Sequence, residues 1–174
     1  MLPGARTLSL SALVVAALVL AALGCGSEGP PAALSCGAGP PEIDVAAGLG
    51  ADFGPVADGG RLYVRCGGQG LRHIQLQVRA SGVAPLCRVA ATLVSADTGE
   101  VYGQAGPPWS LPFHNVDAGE ACESPTLLLI VGAPSTALAD KEAILTVGVT
   151  DSEGRAPVLT RRVIIDTSRM ACSS

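Results

Sequence analysis

His73 and His114 are the two histidines of this 174-residue chain, so acid–base chemistry near neutral pH has to start from one of them. His114 has the richer surroundings, since Asp117 and Glu120 follow it closely and Asp97 lies upstream. A hydrolase or metal-dependent enzyme built on this chain would use His114 with one or more of those acids. Nothing in the spacing fixes such a geometry. The sequence contains no Gly-x-Ser-x-Gly elbow, His-Glu-x-x-His pair, Gly-x-x-x-x-Gly-Lys phosphate loop or Cys-x-x-Cys pair. His73 falls on the polar side of an alternating stretch, where a solvated or cross-strand-paired histidine is the expected role. No catalytic residue, cofactor site or metal ligand is therefore assigned, and the chain reads as a non-enzyme.

Binding chemistry has one candidate. Trp109, Phe113 and His114 lie among Pro107, Pro108 and Pro112, and an exposed aromatic among prolines can stack on sugar or peptide. The competing role for Trp109 is a cap on the core. Acidic pairs near glycine occur in Asp97-Thr98-Gly99-Glu100 and Asp151-Ser152-Glu153-Gly154. Neither has the ladder of acids that a calcium loop uses, and both are expected to be hairpin tips.

The elements that would position these residues read as strands. Arg61–Cys66, Leu71–Val78 and Cys87–Val94 alternate apolar with polar residues, and Cys87, Val89, Ala91 and Leu93 share one face. Gly67–Gly70 and Ala96–Gly99 supply turns, the second leading into Glu100–Tyr102. Thr126–Val131 is a short apolar run suited to a strand, and Pro134–Asp140 has room for one helical turn. Ala143–Thr150 and Pro157–Asp166 form a terminal hairpin, with a bulge expected at Arg161-Arg162. A weak strand is expected between Glu42 and Gly60, and a long loop or short edge strands between Gly103 and Pro125. The sum is an all-β chain, an antiparallel immunoglobulin-like β-sandwich of about seven strands.

The first residues have a different character. Behind Arg6, Leu8 to Cys25 carries no charge and ends Ala22-Leu23-Gly24-Cys25, the layout of an export signal. That ending resembles the lipobox of bacterial lipoproteins, which implies lipidation of Cys25 as the new amino terminus. The apolar run is shorter than the roughly 20 residues that span a bilayer. Ordinary secretion, with cleavage at the same small residues and an unmodified Cys25, is the alternative. The organisation expected is a signal peptide over 1–24, a Gly/Pro-rich linker over 25–41 and a single β-sandwich over 42–174.

Loss of the signal removes one basic residue, Arg6, leaving ten basic against fifteen acidic residues and a net charge of −5. Such a surface lacks the basic stripe that nucleic acid requires. The partners expected are the membrane, through the lipid on Cys25, and a protein or glycan. The expected location is the cell envelope, outer membrane or cell surface, with a soluble secreted or periplasmic form as the alternative.

The strand pattern resembles immunoglobulin-like and fibronectin-like envelope domains. Gly68-Gln69-Gly70-Leu71-Arg72-His73-Ile74 resembles a segment of uncharacterised bacterial lipoproteins. Neither resemblance implies a particular activity.

With Cys25 lipidated, five cysteines remain, spaced by 30, 21, 35 and 50 residues, which fits no zinc pattern and suits disulfides. Cys66, Cys87, Cys122 and Cys172 are the candidates, paired as Cys87–Cys122 and Cys66–Cys172, with Cys36 in the linker as the odd thiol. The function expected is a binding or structural module on a lipid anchor. Alternatives are the His114 enzyme above and an accessory subunit that adds a strand to a partner through a free sheet edge.

Overall fold

The structure is a computed structural model, and it describes residues 35–48, 54–67, 70–106, 110–132 and 135–170. The chain divides into the units Met1–Ala33 and Leu34–Ser174, and every described residue belongs to the second. Cys25, Trp109 and Cys172 lie outside the described residues.

Alternation sets the fold, because each strand with one apolar face has to bury it. Among the described residues, thirteen strands run in chain order: β1 (Glu42–Ala47), β2 (Gly54–Pro55), β3 (Gly60–Tyr63), β4 (Arg65–Cys66), β5 (Arg72–Ser81), β6 (Leu86–Ser95), β7 (Val101–Ala105), β8 (Leu111–Pro112), β9 (His114–Val116), β10 (Ala121–Glu123), β11 (Leu127–Val131), β12 (Glu142–Asp151) and β13 (Val158–Asp166). A single helical turn, α1 (Ser135–Leu138), precedes β12. The chain is all-β and sandwich-like. Strands of five residues or more are β1, β5, β6, β7, β11, β12 and β13; of the six shorter ones, β3 and β4 fall in the alternating stretch Arg61–Cys66, and β8, β9 and β10 between Gly103 and Pro125.

The strands form one hydrogen-bonded sheet in the order β2-β1-β5-β11-β7-β6-β12-β13-β3, with β10 and β4 on β5, β9 on β10 and β8 on β6. All pairs are antiparallel except β3 with β13. After β3, Val64 N–H donates to Asp166 O (2.9 Å), and β4 then pairs with β5. Gly60–Cys66 thus crosses from β13 to β5 and closes the order of strands on itself. Its inward residues Leu62 and Val64 are fully buried. The ladder between β6 and β7 shifts register at Leu93/Val94. One core results, in which Val45, Leu76 and Leu129 from one half meet Leu93, Leu145 and Val163 from the other.

Gly103 allows the tightest approach in this arrangement. A Cβ there would lie 2.6 Å from the Leu129 side chain and 2.7 Å from Ile130 O. Only glycine lets β7 fit against β11.

Two expectations need correction. Arg161 and Arg162 pair in regular register with Leu145 and Ile144, so no bulge occurs there. Arg161 keeps the alternation with a half-buried position on the inward side of β13, and Arg162 points out to Glu142 (2.7 Å). The domain also starts earlier than Glu42. Cys36 is buried, donates its N–H to Val83 O (2.9 Å) and accepts from Gly82 N–H (2.6 Å). Gly82 has a φ of +64°, and a Cβ on it would meet Pro40 O at 2.5 Å, so residues 36–40 pack onto the sheet. Among the described residues no helix is long and apolar enough to cross a membrane.

Candidate functional site

Register brings four titratable side chains into one row across four strands. Asp44 of β1 lies opposite Arg79 of β5, Arg79 opposite Glu123 of β10, and Glu123 opposite His114 of β9. Directly opposed residues on neighbouring strands have Cβ atoms about 5 Å apart, close enough for opposite charges to support one another. Arg79 also forms an ion pair with Asp117, from the turn that follows β9. His114 Nε2 stands 3.8 Å from Glu123 Oε2.

The turn carrying Asp117 is a 3-10 turn, Asp117–Gly119, in which Asp117 and Ala118 have φ of 48° and 56°. These are left-handed conformations that ordinary residues rarely adopt. The strands on either side, β9 and β10, are three residues long, too short to hold each other by pairing alone. What holds them is the cross-link between Cys122 of β10 and Cys36, whose Cα atoms are 5.0 Å apart.

The row lies on the outer face of the sheet. Two shallow concavities share Asp44 and Arg79: one of about 260 Å³ adds Glu42, Ser81 and Ala121, the other of about 360 Å³ adds Pro55, Gln77 and Glu123. Arg79 faces three carboxylates, Asp44, Glu123 and Asp117, so the array carries a net negative charge. It leaves no free cation for an anionic ligand.

The side chains singled out from sequence are dispersed. Phe113 is 6% exposed and joins the core, while its neighbour His114 points outward, so the two do not form one surface. Alternation across Pro112-Phe113-His114 explains the split. Asp117 is engaged with Arg79, Glu120 N–H closes the 3-10 turn onto Asp117 O (3.1 Å), and Asp97 belongs to the turn between β6 and β7. Among the described residues no group of three or more His, Cys, Asp or Glu converges as a metal site. His73 is half-buried on the outer face of β5, its Nδ1 3.4 Å from Leu71 O.

The cysteines depart most from expectation. Cys122 pairs with Cys36, not with Cys87. Cys87 is the free thiol among the described residues. It points inward from β6, and its Sγ–H donates to Ala84 O at 3.0 Å. Burial, followed by the nearby Asp151 carboxylate, pushes its pKa up to about 11, so it is a protonated, unreactive thiol at neutral pH. Cys66 is also disulfide-bonded; the expected partner, Cys172, is outside the described residues.

Asp151 is a functional carboxylate in a structural sense that sequence did not reveal. It was expected at a hairpin tip, and it is fully buried there. Its Oδ2 accepts from Ala84 N–H (2.9 Å) and Arg155 Nε–H (2.6 Å), and its Oδ1 from the N–H groups of Glu153 and Arg155 (2.9 Å each). Burial pushes its pKa up, but those donors outweigh it and hold the carboxyl below the usual range. Both oxygens are occupied by nitrogen donors, which is a turn lock and not a calcium loop. Asp166 is held low chiefly by hydrogen bonds from Ser168 (Ser168 N–H to Oδ1, 2.9 Å), and secondarily by Arg61, which bridges it to Asp140.

No protein-family model matches the sequence, and no curated protein matches it. Among solved structures the chain is similar to the N-terminal domain of PorA, at 9% identity over 75% of this chain and 100% of that one, with a TM-score of 0.34.

Proposed function

We propose that the protein is an exported lipoprotein of the bacterial cell envelope, anchored through Cys25, whose β-sandwich serves as a non-enzymatic binding or structural module. Cysteine accounting carries the reading. The chain has six cysteines. Cys36 and Cys122 are joined, Cys66 is disulfide-bonded, and Cys87 is a buried thiol that donates to Ala84 O. A lipid on Cys25 leaves Cys172 as the partner for Cys66, and the odd number that lipidation creates is absorbed by Cys87. Disulfides of this kind belong to an oxidising compartment, in keeping with the export signal.

Cys36 is the first cross-linked residue, eleven positions after Cys25. Fully extended, that tether reaches about 36–40 Å, far enough to hold the domain clear of lipid headgroups. Intact-mass analysis of the protein from its native envelope tests the reading. The expected result is a diacylglyceryl adduct on Cys25, two disulfides and one thiol that alkylates only after unfolding. An unmodified Cys25, or three disulfides, would overturn it.

A further inference from the structure

The sheet splits at one place inside its order. β7 is hydrogen-bonded to β11 at Gly103–Val131 and Gln104–Ile130, but Ala105 pairs with Ala91 of β6 alone. Gly106 follows β6 as well, since a Cβ on it would meet Val89 O at 2.9 Å. In a continued ladder Gly106 would stand opposite Leu128. It has instead been drawn away, and a cleft of about 590 Å³ opens between the strands, lined by Ala90, Thr92, Gln104, Gly106, Leu128 and Ile130 among others.

The direction of the main chain follows from the ladder. N–H and C=O of one residue in an antiparallel strand point to the same neighbour, and successive residues alternate. Gly132 N–H donates to Tyr102 O (2.9 Å), so Gly132 and Ile130 face β7, and Leu128 faces the same way. Leu127 and Leu129 face β5, opposite Leu76 and Ile74. The N–H and C=O of Leu128 therefore point into the cleft. Such groups favour a hydrogen-bonding occupant over an acyl chain.

The walls narrow the chemistry further. Among the described residues no charged side chain lines the cleft, and Leu128 and Ile130 stand 49% and 39% exposed at its rim. Nucleic acid would need cations there, and an N–H and C=O pair on one strand residue is the pattern that the main chain of another strand matches. The outer edges of the sheet are largely covered: β2 and Val56 N–H engage β1, and β3, Gly59 and Asp58 engage β13.

We propose that the cleft between β7 and β11 takes an extended, uncharged segment of a protein partner as an added strand, hydrogen-bonded to the main chain of Leu128 and flanked by Leu128 and Ile130. This rests on the domain being a binding module and not on the lipid at Cys25, so the mass measurement and the following experiment fail independently.

Amide exchange and titration with a blocked peptide of alternating threonine and valine test it on the full mature chain. The Leu128 amide should exchange much faster than that of Ile130 in the free protein and become protected when the peptide is bound. An analogue N-methylated at alternate amides should not bind. Leu128→Glu, which keeps the backbone, should weaken binding about tenfold. Ala90→Glu, an exposed position on the opposite wall, should do the same should Leu128→Glu disturb the fold. A Leu128 amide already as protected as Ile130, equal binding of the two peptides, or no binding of either would overturn the proposal.

Discussion

The two halves of the sheet are stabilised by different means. β6, β12 and β13 run for ten, ten and nine residues in unbroken register, with Thr92, Thr146 and Thr160 opposite one another on the outer face. They bury a continuous inner face and need only their ladder and the hydrophobic effect. The half made of β1, β9 and β10 has strands of six, three and three residues against the long β5. Its outer face carries the charged row, and its integrity depends on a cross-link. Long alternation specifies a strand by itself. Short strands borrow their definition from contacts made far along the chain.

Removing the cross-link should produce the largest effect of this contrast. Cys36→Ala or Cys122→Ala frees a loop closed over 86 residues and should cost about 3–5 kcal/mol, read by chemical denaturation. Hydrogen exchange should show β9 and β10 opening while β6, β12 and β13 stay protected; equal loss in both halves would erase the distinction.

The long-strand half has its own single point of weakness at the hairpin tip. Asp151→Ala should cost about 3 kcal/mol, because four donors lose their acceptor, one of them, the Ala84 N–H, at a buried site. The sign of its pH dependence follows from a folded pKa that lies below the unfolded one. The stabilisation is complete above the ordinary Asp range, near pH of about 4, and disappears as pH falls through the lower folded value. Asp151→Asn should flatten the acid limb of a stability–pH curve, and an unchanged limb would refute the assignment.

Where the halves meet, Gly103→Ala should cost about 1–3 kcal/mol, since a methyl group would press on Ile130 O and Leu129. Thermal unfolding measures it. The smallest effect belongs to the charged row. Arg79→Ala should change stability by no more than about 1 kcal/mol, because Arg79 and Asp117 are each about half exposed, and the difference should shrink in added salt.

The same contrast explains what was readable in the sequence. β5, β6, β12 and β13 follow from alternation, and the turns at Gly99 and Gly154, with φ of 73° and 83°, follow from their composition. Leu127–Val131 reads as an apolar run, but the sequence does not say that Leu128 and Ile130 face outward, because an unbroken run has no polar member to mark the solvent side. The pairing of Cys36 with Cys122 depends on β1 and β10 both flanking the end of β5, a long-range arrangement with no local signal. Cys87 shares its inward face with Val89, so its place was legible, yet its lack of a partner was not. Phe113 reads as a surface residue in the sequence because its proline-rich surroundings obscure the alternation that buries it.

The bond between Cys36 and Cys122 also determines how the domain responds to force. Tension arriving from the amino-terminal side enters at Cys36 and crosses covalently to β10, which is paired with β5 at Cys122–Ala80 and Glu123–Arg79. The load bypasses β1, whose six pairs with β5 would otherwise be peeled one at a time from the Glu42 end. Strain is delivered to β10 and through it to the long strand β5, and the first strand is spared.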